Sequence, residues 1–431
     1  MKRLSTILLA LMVTIIGKSA TVVDMPSDAK QLAYNMTVGW NLGNSLEAYS
    51  SSASTSETDW GNPKTTQAMI DAVKDAGFNA IRIPVRWYPH FSYYNGTITI
   101  DATWLARVKE VIGYCIKDGL YVIINTHHEL WLENHATYAD SASVFATERA
   151  LWTTLANAFA DYDEHLLFAG TNEVHLDGNW DECKTENAIV QNKFNQIFVD
   201  KVRESGGKNL YRNLIVQTYS CNDSWGITHF TVPKDPTSGR LIVEVHAYEP
   251  YSYAMNPGEP YKYWGTKYSS YGIESWSQES YLNNVFSKLK TAFVDKGYPV
   301  IIGECGAIRH TSPTTAMNES RAYYLKTFIS KAKSYGIVPF LWDNGSTGTG
   351  EESYGLFKRK SSMSQVDNFS VAAIMEGAQT NYPTRIEYVD NTVTENNIYT
   401  LQGVMIKKNA SNMDGLPKGI YLMKGKKYIV K

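Results

Sequence analysis

Tyr121-Val122-Ile123-Ile124-Asn125-Thr126-His127 is an apolar run without alternation that breaks off into polar side chains. A strand with one wet face alternates apolar and polar residues, whereas a strand that is apolar throughout suits a parallel sheet covered on both sides. Leu241-Ile242-Val243 and Val300-Ile301-Ile302 have the same character. From Thr37 onward, β-rich runs end near Gly43, Pro84, His127, Glu173, Tyr219, His246, Glu304 and Trp342, which makes eight. Helical stretches lie between them. In one, Trp104, Val108, Val111, Ile112 and Cys115 fall on a single face that can cover a sheet. Eight strand-helix units imply closure, so the expected fold is α/β, a (β/α)8 TIM barrel. A doubly wound open sheet is the competing architecture, but no Gly-x-Gly-x-x-Gly fingerprint follows the first strand, and polar residues finish most strands rather than gathering at one crevice.

In a barrel the C-terminal strand ends form one mouth, where residues distant in sequence become neighbours. The side chains collected there are Asn41 and Asn44, Arg82, His127 and His128, Asn172 and Glu173, His246 and Tyr248, Glu304, and Trp342. Two of these strands finish in a glutamate. A carboxylate at the end of a buried strand is costly to desolvate, and two facing each other across a cleft are what cleavage of a glycosidic bond requires. One protonates the leaving oxygen; the other attacks the anomeric carbon or activates water. Glu173 and Glu304 can take these roles, Asn172 suits a hydrogen bond to a sugar 2-hydroxyl, and Arg82 can keep Glu304 ionised. Reading Glu304 as a structural acid paired with Arg82 leaves Glu173 unexplained.

His127-His128-Glu129 lacks the His-Glu-x-x-His spacing of a helical zinc site, so no metal is expected, nor any cofactor. Adjacent strand residues point to opposite sides, so only one of the two histidines should face the mouth. Glu244, two residues before His246, can point inward beneath the site, while Glu129 and Asp343 are nearby acids without an evident role. Trp342, beside Asp343 and Asn344, is expected to floor the sugar next to the scissile bond; Trp60, Trp87 and Trp131 are weaker platform candidates.

Gly39-Trp40-Asn41-Leu42-Gly43-Asn44, Trp60-Gly61-Asn62-Pro63, Ala80-Ile81-Arg82-Ile83-Pro84-Val85-Arg86-Trp87, Asn125-Thr126-His127-His128-Glu129, Asn172-Glu173, His246-Ala247-Tyr248 and Gly303-Glu304 together resemble family 5 glycoside hydrolases, in order and spacing, from about residue 30 to 375. The resemblance is nearest to bacterial endo-glucanases and xyloglucanases that carry the Trp-Gly-Asn-Pro segment. It implies a retaining mechanism, with Glu173 as acid/base and Glu304 as nucleophile, supported by Arg82, His127, Asn172, His246, Tyr248 and Trp342. Of the two histidines it selects His127. Ala169-Gly170-Thr171 before Asn172, and Val174 in place of a frequent proline, depart from the family pattern without touching a reacting atom.

The ends of the chain carry different signals. Met1-Lys2-Arg3, a mostly apolar run from Ile7 to Ile16 and then Gly17-Lys18-Ser19-Ala20 read as a secretory signal over residues 1–20, too short to span a bilayer. The catalytic domain is expected over residues 21–384, and a β-rich tail over residues 385–431. That tail holds eight basic and four acidic residues, with Leu401-Gln402-Gly403 and Leu416-Pro417-Lys418-Gly419-Ile420-Tyr421 suggesting hairpin strands. It resembles the C-terminal sorting domain of the type IX secretion pathway, which implies secretion machinery as a partner; a β-cap packed on the barrel is the plainer alternative.

Of the 431 residues 43% are apolar and 19% charged, which excludes a disordered chain. Removing residues 1–20 takes away three basic and no acidic groups, turning a formal charge of −2 into −5. With no basic run interleaved with aromatics, nucleic acid is excluded as a partner and a neutral polymer fits better. No membrane span is expected in the mature chain, and a monomer is expected. Four cysteines are too few for a disulfide scaffold. Cys115 and Cys305 read as buried thiols, leaving Cys183 and Cys221 as the one candidate pair. The expected protein is a secreted or cell-surface endo-β-1,4-glucanase acting on cellulose-type glucan, mixed-linkage β-glucan or xyloglucan. A β-mannanase of the same fold is the nearest rival. A non-catalytic polysaccharide-binding protein is the rival of another class, though binding alone has no use for an acid and nucleophile pair.

Overall fold

The computed structural model describes residues 25–51, 54–179, 183–383, 396–400, 405–423 and 426–430. The signal at residues 1–20 and the Leu401-Gln402-Gly403 segment lie outside them. Eight parallel strands close into a barrel in sequential order: β1 Gly39–Asn41, β2 Ala80–Ile83, β3 Tyr121–Ile124, β4 Leu166–Ala169, β5 Leu214–Asn222, β6 Leu241–His246, β7 Val300–Cys305 and β8 Ile337–Leu341. The ring closes because β1 pairs with β2 on one side, Asn41 opposite Arg82, and with β8 on the other, Trp40 opposite Leu341. An open sheet is thereby ruled out.

Alternation along each strand sorts the side chains into two layers. Ala80, Ile123, Leu167, Ala169, Ile215, Ile242, Ile301, Val338 and Phe340 pack inside the barrel with Ala29, Leu32, Ala33 and Met36 of the helix Ala29–Asn35. This helix plugs the N-terminal end. The Asn35 carbonyl accepts from the side chain of Asn79, just before β2, and the Ala29 amide donates to Gly239, just before β6. Outside the barrel the surrounding helices bury the opposite strand faces. Helix Ala102–Lys117 is capped by Asp101, which accepts from the Trp104 amide, and buries Trp104, Val108, Val111, Ile112 and Cys115.

Toward the C-terminal ends of the strands the filling of the barrel changes from apolar to charged. Two glycines make room for large neighbours. A Cβ on Gly39 would lie 2.0 Å from the Phe340 ring, and one on Gly303 would lie 1.9 Å from Oε1 of Glu244. The second contact lets a carboxylate occupy the barrel interior directly beneath the mouth.

Residues Pro383–Lys431 form a second unit. Its four strands lie in the order Met405–Lys407, Ile398–Thr400, Gly419–Met423, Lys426–Val430, all antiparallel. Ile398, Ala410, Tyr421 and Met423 make its small core. Among the described residues no helix is long and apolar enough to cross a membrane.

Candidate active site

Arg82, fully buried on β2, organises the mouth. Its Nε pairs with Oε1 of Glu244 at 2.9 Å, and Nη1 donates to Oδ1 of Asn41 at 3.0 Å and to Oε1 of Glu304 at 2.9 Å. Nη2 donates to Oδ1 of Asn172 at 2.7 Å. One side chain of β2 thus joins groups from β1, β6, β7 and the turn after β4. Burial alone would favour a neutral guanidine, but Glu244 and Glu304 outweigh it and raise the pKa, so the cation is permanent. Burial likewise opposes ionisation of Glu244, and the Arg82 charge reverses this and lowers its pKa. A buried ion pair of this kind is stable only with its remaining hydrogen-bonding capacity filled. Gln217 supplies that by donating to Oε2 of Glu244 at 2.7 Å.

Glu173 and Glu304 meet above this base. Each, with His246, offers a donor atom within 4.8 Å of the others. Their surroundings differ. Glu304, with a side chain 8% exposed, accepts from Arg82 on one oxygen and from the Tyr248 hydroxyl on the other at 3.1 Å. Burial, together with the adjoining Glu304 charge, pushes the Tyr248 phenol well up, so it stays a donor. Glu173, 29% exposed, lies with Oε1 2.6 Å from Nδ1 of His246. Burial raises the pKa of Glu173, but the His246 hydrogen bond and charge prevail and lower it. For His246 burial again opposes the charge, and Cys221, Glu304 and Glu173 together raise the pKa well above the usual imidazole value. The two groups therefore share a proton across this short contact. Among the described residues Glu173, His246 and Glu304 are the group whose spacing suits a cation, yet its donors already satisfy one another and Arg82.

His127 follows β3, with Nδ1 3.1 Å from the Asn125 amide and Nε2 3.4 Å from that of Asn172. Burial, reinforced by His128, Arg82 and His246, holds it neutral. Its ring is parallel to that of Trp342, centroids 6.3 Å apart. Trp342 is partly exposed and lies against Gly43, where a Cβ would approach the indole to 2.8 Å. Asn44, with φ of +56°, stands outside this hydrogen-bonded set. It lines a neighbouring cavity of about 480 Å³ with Trp60, Asn62, Asn344, Glu352 and Lys360.

Two sequence expectations need correction, Trp87 as a sugar platform and Cys183 with Cys221 as a disulfide. Trp87 is fully buried and donates to the Asn125 carbonyl, so it offers no face to a sugar. Cys183 and Cys221 are both free thiols, and Cys221 is buried at the site. Trp60, 38% exposed, packs on Tyr49 and His128, while Trp131 is half-buried and donates to Glu129 at 2.8 Å. Glu129, pushed up to about 7 by burial, also accepts from the Trp87 amide, and Asp343 accepts from Trp40 and the Leu356 amide. Both acids hold the frame. Sequence reasoning missed Cys221 because nothing in its neighbours announces the backbone turn that delivers it.

Residues 43–348 match the model of the family described as Cellulase (glycosyl hydrolase family 5). The chain is 36% identical to endoglucanase A of Paenibacillus barcinonensis over 84% of its own length and 93% of that protein's. It is 40% identical to endoglucanase A of Clostridium longisporum over 77% of its length, a match that spans 62% of that longer relative. The solved structure of a Bacteroides ovatus family 5 xyloglucanase in complex with a XXXG heptasaccharide superposes with a TM-score of 0.77 at 34% identity, covering 84% of this chain and 79% of that one. A closed eight-stranded barrel, two glutamates across its mouth and a family match over most of the chain lead to one assignment: this protein belongs to the cellulases of glycosyl hydrolase family 5.

Proposed function

We propose that the protein is a retaining endo-β-1,4-glucanase in which Glu304 is the nucleophile and Glu173 the acid/base. The observation that carries this reading is the separation of the carboxyl groups, with oxygens within 4.8 Å. Retaining enzymes place them about 5–5.5 Å apart, whereas inverting enzymes need about 6.5–9.5 Å to admit a water. The asymmetry of the surroundings supports the roles. Arg82 and Tyr248 each donate to one oxygen of Glu304 and orient it for attack on the anomeric carbon. Glu173, more exposed and sharing a proton with His246, delivers that proton to the departing glycosidic oxygen as the bond to carbon breaks. In the second half, Glu173 takes a proton from water, whose oxygen displaces Glu304 and restores the anomeric configuration. Neutral His127, parallel to Trp342, and Asn172 face the same space and suit contacts to the bound sugar.

The substrate reading extends to xyloglucan as well as linear and mixed-linkage glucans. Support comes from the matched relatives, which include endoglucanases and a xyloglucanase, and from a cavity of about 480 Å³ lined by Asn44, Asn62 and Trp60 that could receive part of a chain. We further propose export, on the strength of the basic, apolar and small-residue order of residues 1–20 and the lysine-rich tail.

The test is reducing-end release on cellulose, mixed-linkage glucan, xyloglucan and mannan, with the anomer of the first product followed by NMR. Retention on the glucans is expected. Inversion, or activity on mannan alone, overturns the reading. Glu304→Gln should abolish turnover with polysaccharide affinity kept, since affinity is spread over many subsites. For Glu173→Ala, added azide should accelerate release from substrates with good leaving groups.

A further inference from the structure

Strand β5 is the least regular of the eight. Its pairing with β6 runs in step from Leu214 opposite Leu241 to Gln217 opposite Glu244, then resumes at Asn222 opposite His246. β5 therefore carries a bulge over residues 218–221. Within it Ser220 and Cys221 have φ of +57° and +47°, a left-handed conformation that a Cβ disfavours. Bulges of this sort re-aim side chains beside functional sites, and two consecutive strained residues call for a local reason.

The reason lies in what the bulge touches. Three successive residues grip the segment that follows β4 and carries Glu173. The Tyr219 hydroxyl accepts from the Leu176 amide at 3.0 Å, the Ser220 amide donates to the Val174 carbonyl at 3.0 Å, and the Cys221 thiol donates to the Asn172 carbonyl at 3.4 Å. Glu173 thus has a fixed residue on either side. Cys221 itself is fully buried, and its neighbour Asn222 lies opposite His246. The charged groups facing the His246 ring are Glu173, Glu244, Glu304 and Arg82.

We propose that the bulge at residues 219–221 is the positioning clamp of the acid/base, fixing the backbone on both sides of Glu173. This rests on the reading of Glu173 as the acid/base. Cys221 and Tyr219 are positioning residues and touch no reacting atom. A displaced Glu173 loses its alignment with the leaving oxygen before the nucleophile is affected, because Glu304 is held from the other side by Arg82 and Tyr248. The clamp therefore matters most where the leaving group needs a proton.

The experiment compares kcat/KM on a cello-oligosaccharide with kcat/KM on a dinitrophenyl β-cellobioside, whose leaving group departs unprotonated. Cys221→Ala and Tyr219→Phe should each lower the first by about tenfold to a hundredfold and leave the second within about threefold, and Cys221→Ser should recover part of the loss through its hydroxyl. The alkaline limb of the pH profile should move in both deleted variants. Equal losses on the two substrates, or no loss, overturn the clamp. Tyr219→Phe decides the matter alone if Cys221→Ala fails to fold. Glu173→Ala is the reference: if it shows no selective loss on the oligosaccharide, the catalytic assignment falls, whereas selectivity there without selectivity in Tyr219→Phe defeats the clamp only.

Discussion

His246 shows how far one side chain reaches in this mouth. Its Nδ1 shares a proton with Glu173, and its Nε2 lies 3.4 Å from both Glu244 and Arg82. The pKa of His246 is raised and that of Glu173 lowered, so one proton stays on the pair until the pH rises through the elevated histidine value. The sign for folding follows. His246 contributes stability that is full below its unfolded pKa and lost as pH climbs through the folded one; Glu173 and Glu244 contribute stability present above their unfolded values and lost as pH falls through the depressed ones. For activity, His246→Gln should bring the alkaline limb of kcat/KM to lower pH and reduce its maximum by about a hundredfold. A pH–rate profile checks this, and an unmoved limb would remove the proton from the pair. Tyr248→Phe should lower kcat by about tenfold or more, with KM little changed, by taking one donor from Glu304. At this scale the gathering of Arg82, His127, Asn172, Glu173, His246, Tyr248 and Glu304 at one mouth was legible because each lies near or just beyond the C-terminal end of an apolar strand, while the choice of His127 over His128 came from the family resemblance. Cys221 was not, since its position depends on a left-handed turn at non-glycine residues that carries no sequence mark.

The elements explain why so many charges are tolerated below the mouth. The barrel interior is apolar where the plugging helix meets it and polar where Arg82, Glu244 and Gln217 interlock, and Gly303 on β7 makes the second layer possible. Gly303→Ala would drive a Cβ into the Glu244 carboxylate, forcing it off Arg82. The expected cost is about 1–3 kcal/mol of stability, read by denaturant unfolding, together with a loss of kcat because Arg82 also holds Glu304 and Asn172. Unchanged stability with unchanged kcat would mean that the layer yields freely. Parallel strands were readable as continuous apolar runs, since burial on both faces removes the need for polar positions. The hairpin Phe91–Tyr94 with Thr97–Ile100 was overlooked although Asn95-Gly96 marks its turn, with φ of +47° and +78°. Short strands with mixed burial resemble loops when judged by hydropathy alone. Sequence ends β5 near Tyr219, whereas the strand runs to Asn222, because the bulge that hides Cys221 also breaks the period.

Over the whole chain, the barrel and the tail obey different constraints. Every barrel strand finds both neighbours between Gly39 and Leu341, and the helix that plugs the N-terminal end comes from residues 29–35, so closure draws nothing from the tail. The second unit has its own four-stranded sheet and a core of Ile398, Ala410, Tyr421 and Met423. A core that small supplies little stability of its own. None of its described strands belongs to the barrel sheet, so an export role for it is tested by deletion. Deleting residues 385–431 should therefore leave kcat/KM of the purified enzyme within about twofold and its melting temperature within a few degrees, about 1 kcal/mol on a chain of this size, while stopping the protein from appearing outside its native cell. The two readouts separate the alternatives. Lost activity or solubility on deletion would make the segment a cap on the barrel, and undiminished export would sever it from secretion, whatever its likeness to a sorting domain.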